Sequence, residues 1–239
     1  MVKKDVSEAK DMQNFNRQNS LFQFQKLIQE IYGPPADRLY SILDLLTQQQ
    51  RFAMRALKGI RKGDKEKLKK NLFISFSWLI VIANRFHINV EAEVWRRFPM
   101  FCSYCGRQPC ACKKIKPATR AIIVRRSSLK PMMLADFQKM FAKIYPPQSR
   151  TLVDAGLHFA EEIGEVGEAI HGFLGEHKNV QFNEVKNEIA DCVSCIFGIA
   201  NSAAIDMAKE LEGMYYDNCH ACHIVPCVCN FSSMAKFQS

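Results

Sequence analysis

"CSYCGRQPCAC" at residues 102–112 returns 117 positions later as "CHACHIVPCVC" at 219–229, with four cysteines and a proline in the same places. A chain that carries one unit twice is constrained to fold it twice, because each copy specifies the same elements. The repeat extends backwards from the cysteines. "FQKLIQEIY" (24–32) returns as "FQKMFAKIY" (137–145) at an offset of 113, and "IAN" (82–84) returns as "IAN" (199–201) at 117. The step from 113 to 117 puts four additional residues in the second copy, and "GEHKNVQF" (175–182) is expected to hold them as a loop. Each unit reads as a leading helix, a proline-bearing turn, two longer helices and a terminal cysteine cluster. The division is residues 20–112, a basic connector at 113–131 ("KKIKPATRAIIVRRSSLKP"), and residues 132–230. Within the connector, "RAIIVR" carries the residue types of a short strand.

Elsewhere the period is helical. Phe159, Ile163, Val166, Ile170 and Phe173 recur at steps of three and four on one stripe. Gly172 and Gly175 mark where that helix is expected to fray and turn. The stretch from Glu184 to Ala203 is apolar around most of its circumference, as a central helix requires. The fold class is all-α. The longest apolar run, "LFISFSWLIVIA" (72–83), falls well short of the roughly 20 residues a membrane span needs, and reads as a buried core helix. The polar start, "MVKKDVSEAKDMQ", has no apolar signal region, so a cytoplasmic setting without membrane attachment is expected.

Net charge is +9, but it is unevenly divided. Residues 1–130 hold 26 Lys and Arg against 10 Asp and Glu, whereas residues 131–239 hold 7 against 14. The basic half therefore either attracts a polyanion or docks on the acidic half.

The acidic residues of the second unit are patterned. Glu162 and Glu165 share one flank of a helix one turn apart, with Glu161 and Glu168 turned further toward solvent. Glu188 and Asp191 repeat the i, i+3 spacing on the following helix. Antiparallel packing through 175–183 lets the two pairs face each other. Four converging carboxylates repel, and burial raises their pKa values. A hard divalent cation, Mg²⁺ or Mn²⁺, relieves both costs with oxygen ligands alone. The alternative is a solvated acidic face.

EExxE at 161–165 followed by ExxD at 188–191 resembles the signature of the all-α nucleoside triphosphate pyrophosphohydrolases, the MazG-like superfamily. "IANSAAIDMAKELEGMYYDN" is similar to that family's last helices, and a CxxC, four residues, CxC tail also resembles some of its members. The resemblance covers about 135–230. It implies Mg²⁺-dependent hydrolysis of a (deoxy)nucleoside triphosphate to the monophosphate and pyrophosphate. Glu162, Glu165, Glu188 and Asp191 would hold the cation, with Glu161 supporting the site or orienting water. Lys178 and Lys186 are the nearest candidate phosphate contacts, with ordinary surface lysines as the alternative. Asn201 is a candidate base or sugar contact; packing is its alternative, because "IAN" persists in the first copy. Phosphoribosyl-ATP or a signalling nucleotide are alternative substrates.

In the first copy these positions are Gln48, Gln49, Phe52, Asn71 and Ile74, so every implied ligand is neutral or apolar there. One catalytic unit and one degenerate unit are expected. The superfamily generally works as pairs of helical units, which implies an internal pseudo-dimer, with a homo-oligomer of it as a further expectation.

Eight of the 10 cysteines form two matched sets: Cys102, Cys105, Cys110, Cys112 and Cys219, Cys222, Cys227, Cys229. Four thiolates in so short a span suit a structural tetrahedral Zn²⁺ site in each unit. An iron–sulfur cluster is the rival. Cys192 and Cys195 also read as CxxC, but within a core helix, where packing is the expected role. A zinc-containing nucleic-acid or protein binding module is the alternative function. Basic patches favour it; the scarcity of aromatic residues beside them, and of any base-reading module, does not.

Overall fold

A computed structural model describes residues 15–115 and 117–230; the polar N-terminal stretch "MVKKDVSEAKDMQ" lies outside the described residues. Among the described residues there are eight α-helices and no strand. The first four are α1 (Leu21–Leu39), α2 (Ile42–Lys62), α3 (Lys65–Arg85) and α4 (Val90–Arg97). The second four are α5 (Leu134–Ile144), α6 (Leu152–Glu176), α7 (Asn179–Ser202) and α8 (Met207–Met214). The order long hairpin, then short helix, then cysteine loop, occurs twice. Backbone geometry repeats with it: left-handed residues at Gly63, His87 and Gly106 recur at His177, Ala204 and His223.

Local chemistry fixes the helix starts. Ser20, Ser41 and Thr151 each accept a backbone N–H from the residue three places on, whose side chain returns the bond. Such capping boxes satisfy donors the first turn leaves open, and a lost cap costs about 1 kcal/mol. Asn89 and Asp206 cap α4 and α8 by accepting the N–H of the residue three places on, without a returning side-chain bond.

The helices α3 and α7 form the centre. Residues 71–83 of α3 are buried except for Trp78, and residues 189–200 of α7 are buried without interruption. The apolar run at 72–83 is thus a core helix, and no single helix among the described residues is long and apolar enough to cross a membrane. The core is continuous across the two sets of four helices. Phe24 stacks on Phe76 (5.4 Å between centroids), Phe76 meets Phe197 edge-on (6.4 Å), and Phe197 stacks on Phe141 (5.4 Å). Residues 20–112 and 132–230 therefore share one interior.

Two expectations fail. "RAIIVR" is extended but pairs with nothing as a strand: Ala121 donates to the carbonyl of Tyr104, and Ile122 and Val124 stand almost fully in solvent. The segment "GEHKNVQF" is not a loop. The helix α6 runs through Gly172 and Gly175 to Glu176, His177 turns the chain with a positive φ, and α7 begins at Asn179. The added residues lengthen the hairpin's helices, because glycine costs only about 1 kcal/mol in a helix and packing outweighs that.

The two halves exchange contacts at their cysteine loops. Cys110 N–H donates to the carbonyl of Ile144 in α5, and Cys227 N–H donates to the carbonyl of Ile31 in α1, both at 2.8 Å. Tyr145 and Tyr32 donate their hydroxyls to Cys102 Sγ (3.5 Å) and Cys219 Sγ (3.6 Å). Each loop is thus seated on the leading helix of the opposite half. Ion pairs also cross between halves: Arg17 with Glu212, Lys69 with Glu210, and Arg97 with Asp191, the cation always from the basic half.

Candidate metal centres and the adjoining cavity

The α6–α7 hairpin brings Glu162, Glu165 and Glu188 together, each offering an oxygen within 4.8 Å of the others. Glu162 is buried, Glu188 half-buried and Glu165 exposed. Burial, then the nearby charges of Asp191, Glu162 and Glu165, push the Glu188 carboxyl up to about 7. Glu162 is also raised, by burial first, although its hydrogen bond with His158 works the other way. His158 Nε2 lies 3.0 Å from Glu162 Oε1, and its Nδ1 lies 3.5 Å from Cys195 Sγ. These two contacts push His158 up to about 11. The other oxygen of Glu162, Oε2, is buried without a hydrogen-bond partner. A buried carboxylate oxygen left bare costs 1–3 kcal/mol or more. An orphaned oxygen beside two further carboxylates fits a hard divalent cation.

Asp191 departs from the expected quartet. It is buried, but it faces Arg97 of α4, whose Nε lies 3.0 and 3.2 Å from its two oxygens and whose terminal nitrogen closes the fork. Burial disfavours the guanidinium charge, yet the bonds and attraction to Asp191, with Glu188 and Glu162 adding to them, hold Arg97 above its ordinary range. Asp191 is thus neutralised by a side chain contributed by the other half. The corresponding positions in the repeat are Met214 and Ile74, so cation and anion occur together in one place and are both absent in the other.

The remaining candidates lie elsewhere. Glu161 is exposed. Lys178 pairs with Glu176, and Lys186 sits over the Phe182 ring at 4.7 Å. Asn201 exchanges amide hydrogen bonds with Gln138, as Asn84 does with Gln25. Both glutamines also cap the next short helix, so the retained "IAN" holds helices together.

A cavity of about 600 Å³ opens beside Glu162 and Asp191. Its far wall, missed in the sequence, comes from the first cysteine loop and the chain leaving it: Tyr104, Lys113, Lys114 and Arg120, with Arg150 beside them. The matching place in the first half is lined by Phe52, Ile74, Trp78 and Tyr215 and encloses only about 50 Å³. Counted from the helix caps Ser41 and Thr151, Phe52 and not Gln49 stands where Glu162 stands; Gln49, one turn earlier, is fully buried and reaches Ser75 at 3.4 Å. Apolar side chains fill the space that carboxylates line in the second half.

The two cysteine sets are also assembled. Within each, the four sulfurs lie within 4.8 Å of one another. Recorded separations are 3.7 and 4.0 Å in the first set and 3.4, 3.8 and 3.9 Å in the second. A tetrahedron with zinc–sulfur bonds near 2.3 Å has edges of roughly 3.8 Å, so both sets fit a single ion. The Cys219 thiol is lowered to about 3, chiefly by its hydrogen bond with Cys227, while Cys227 is raised by the same contact. Proton sharing of this kind is what a divalent ion replaces when it takes four thiolates.

Comparison of the chain with protein families, curated proteins and solved structures finds no match.

Proposed function

We propose that the protein is a Mg²⁺-dependent nucleotide pyrophosphohydrolase of MazG-like type, cleaving a (deoxy)nucleoside triphosphate to the monophosphate and pyrophosphate. In this reading residues 20–112 are a degenerate unit, residues 132–230 the catalytic unit, and the two form a pseudo-dimer closed by two structural Zn²⁺ ions. The observation that carries it is the convergence of Glu162, Glu165 and Glu188 beside a cavity whose other wall is cationic. Bound at the three carboxylates, Mg²⁺ supplies charge neutralisation for a phosphate chain. The chain's own residues orient and exclude. His158 fixes one oxygen of Glu162 and leaves the other aimed away from it. Arg97 holds Asp191 in a bidentate fork, and so keeps a fourth negative charge beside the site without free repulsion.

The test is incubation with each NTP and dNTP in Mg²⁺, with the products resolved. Formation of monophosphate and pyrophosphate, lost in Glu162→Ala and Glu188→Ala, is the expected result. Turnover that survives both substitutions would disprove the site. A second reading, a polyanion-binding protein, draws on the exposed turn between α2 and α3, where Lys67 and Lys62 crowd Lys58 and lower its pKa. RNA binding that falls steeply with salt, without nucleotide turnover, would favour it.

A further inference from the structure

The cavity has two walls of opposite charge, and they come from different halves of the chain. On one side stand Glu162 and Asp191 of α6 and α7. On the other stand Lys113, Lys114 and Arg120, which belong to the first cysteine loop and its outgoing chain, with Arg150 joining them from the turn before α6. These cations are held by neutral groups. Lys113 donates to the Ser149 carbonyl at 3.3 Å, Arg120 lies over the Tyr104 ring at 5.4 Å, and Arg150 lies over the Tyr145 ring at 5.9 Å. The Nε of Arg150 is buried and has no hydrogen-bond partner. A buried guanidinium donor without an acceptor, on a residue that lines the cavity together with three further cations, is matched by an anionic ligand.

From this we infer that the first cysteine loop builds the phosphate-chain subsite of the cavity: Lys113, Lys114, Arg120 and Arg150 take the terminal phosphates of a di- or triphosphate. The inference rests on the hydrolase reading for the carboxylate end of the site, and adds a binding role for residues outside the half that holds the carboxylate cluster. Lys113 follows Cys112 directly, so a metal held by the Cys102 set would fix where the cations stand. The Cys219 set has no such task. Its outgoing residue is Asn230 where the first loop has Lys113, and Cys227 and Cys229 border the small apolar cavity instead. The two metal sites are alike in ligands and unequal in function. The uneven charge of the two halves follows, because the basic half supplies the anion-binding wall of the acidic half's site.

The probe is inorganic tripolyphosphate, titrated calorimetrically into the full chain in the presence of Mg²⁺, with no turnover required. The variant Lys113→Ala/Lys114→Ala/Arg120→Ala is expected to weaken binding by about tenfold or more, since charge-assisted hydrogen bonds are lost. The control Lys58→Ala/Lys62→Ala/Lys67→Ala removes equal charge from the α2–α3 turn and is expected to bind within about twofold of the parent. Cys112→Ser is expected to weaken binding where Cys229→Ser does not, with helicity followed by circular dichroism; if Cys112→Ser unfolds, the lysine and arginine variant still decides. Equal affinity of the first triple variant and the parent, equal weakening by both triple variants, or no binding by the parent would each overturn the inference. Nucleotide turnover is read separately. Binding lost in the first variant while the parent hydrolyses no nucleotide would keep the subsite and remove the hydrolase reading; turnover with unchanged binding would do the reverse.

Discussion

Cys110 donates its backbone N–H to the carbonyl of Ile144 at 2.8 Å, so the first cysteine loop is anchored to a helix of the second half. The same bond recurs between Cys227 and Ile31. With a common core and reciprocal loops, the halves are held by far more than the connector. Arg125 and Arg126 are exposed in that connector. Limited trypsin cleavage there is expected to give two fragments that co-elute on gel filtration. Adding a strong chelator is expected to lower the thermal midpoint of the nicked protein more than that of the intact chain, because a broken connector makes docking bimolecular. Fragments that separate at once in low salt would show that the connector alone joins them.

Metal content follows from the sulfur geometry. Two equivalents of zinc per chain are expected by elemental analysis, falling to one in Cys110→Ser or Cys227→Ser. Iron with visible absorbance in their place would assign clusters instead. Structural zinc contributes directly to folding free energy, so each loss is expected to lower the melting temperature.

Arg97 and Asp191 form a buried ion pair across the halves. Removing one partner strands the other, at a cost of about 3–5 kcal/mol. Arg97→Ala is therefore expected to be strongly destabilised in metal-free buffer. Mg²⁺ is expected to raise the melting temperature of this variant more than that of the parent, because Asp191 then joins the three glutamates as a free carboxylate. An equal Mg²⁺ response in both proteins would show that Asp191 stays outside the cation site.

The repeat made the order of helices readable, and cysteine spacing made both four-cysteine clusters readable, because these are local patterns. Glu162, Glu165 and Glu188 were readable for the same reason: two i, i+3 spacings on one hairpin. Arg97 was not, since it lies 94 residues from Asp191 and meets it only through the exchange of elements between halves. A repeat says what folds twice and not which copy touches which. One signal was present: Arg97 aligns with Met214 and Asp191 with Ile74, a paired change of charge. The cationic wall was hidden likewise, because Lys113 and Arg120 read as linker charge until the loop is placed opposite α6.

The acidity of Glu188 sets a pH dependence. An ordinary glutamate titrates near 4.5, so from there up to about 7 the folded protein keeps a proton that the unfolded chain has released. Folded protein binds the extra proton, and so stability falls as pH rises through this window. Below about 4.5 this group makes no difference, because both states are protonated. In metal-free buffer the Glu188 contribution is expected as a lower melting temperature at pH 8 than at pH 6, an effect reduced in Glu188→Gln. Saturating Mg²⁺ is expected to reverse the trend, and Mg²⁺ affinity to weaken below about pH 7, where the proton competes for the carboxylate.

The two halves are expected to respond to substitution in opposite ways. Glu165 is exposed and makes its contribution through charge, whereas Phe52 of the first half is 2 % exposed within the small apolar cavity. Glu165→Gln is expected to change stability by no more than about 0.5 kcal/mol, as a surface substitution does. It is nevertheless expected to weaken Mg²⁺ binding and to lower turnover. Phe52→Ala is expected to cost about 3–5 kcal/mol through the void it leaves, while nucleotide turnover per folded molecule stays within about twofold of the parent. Urea titration gives the stabilities and calorimetry the cation affinities. If Phe52→Ala abolished turnover in fully folded protein, the first half would be acting on the chemistry through its interior, and the separation of a binding wall from an inert core would fail.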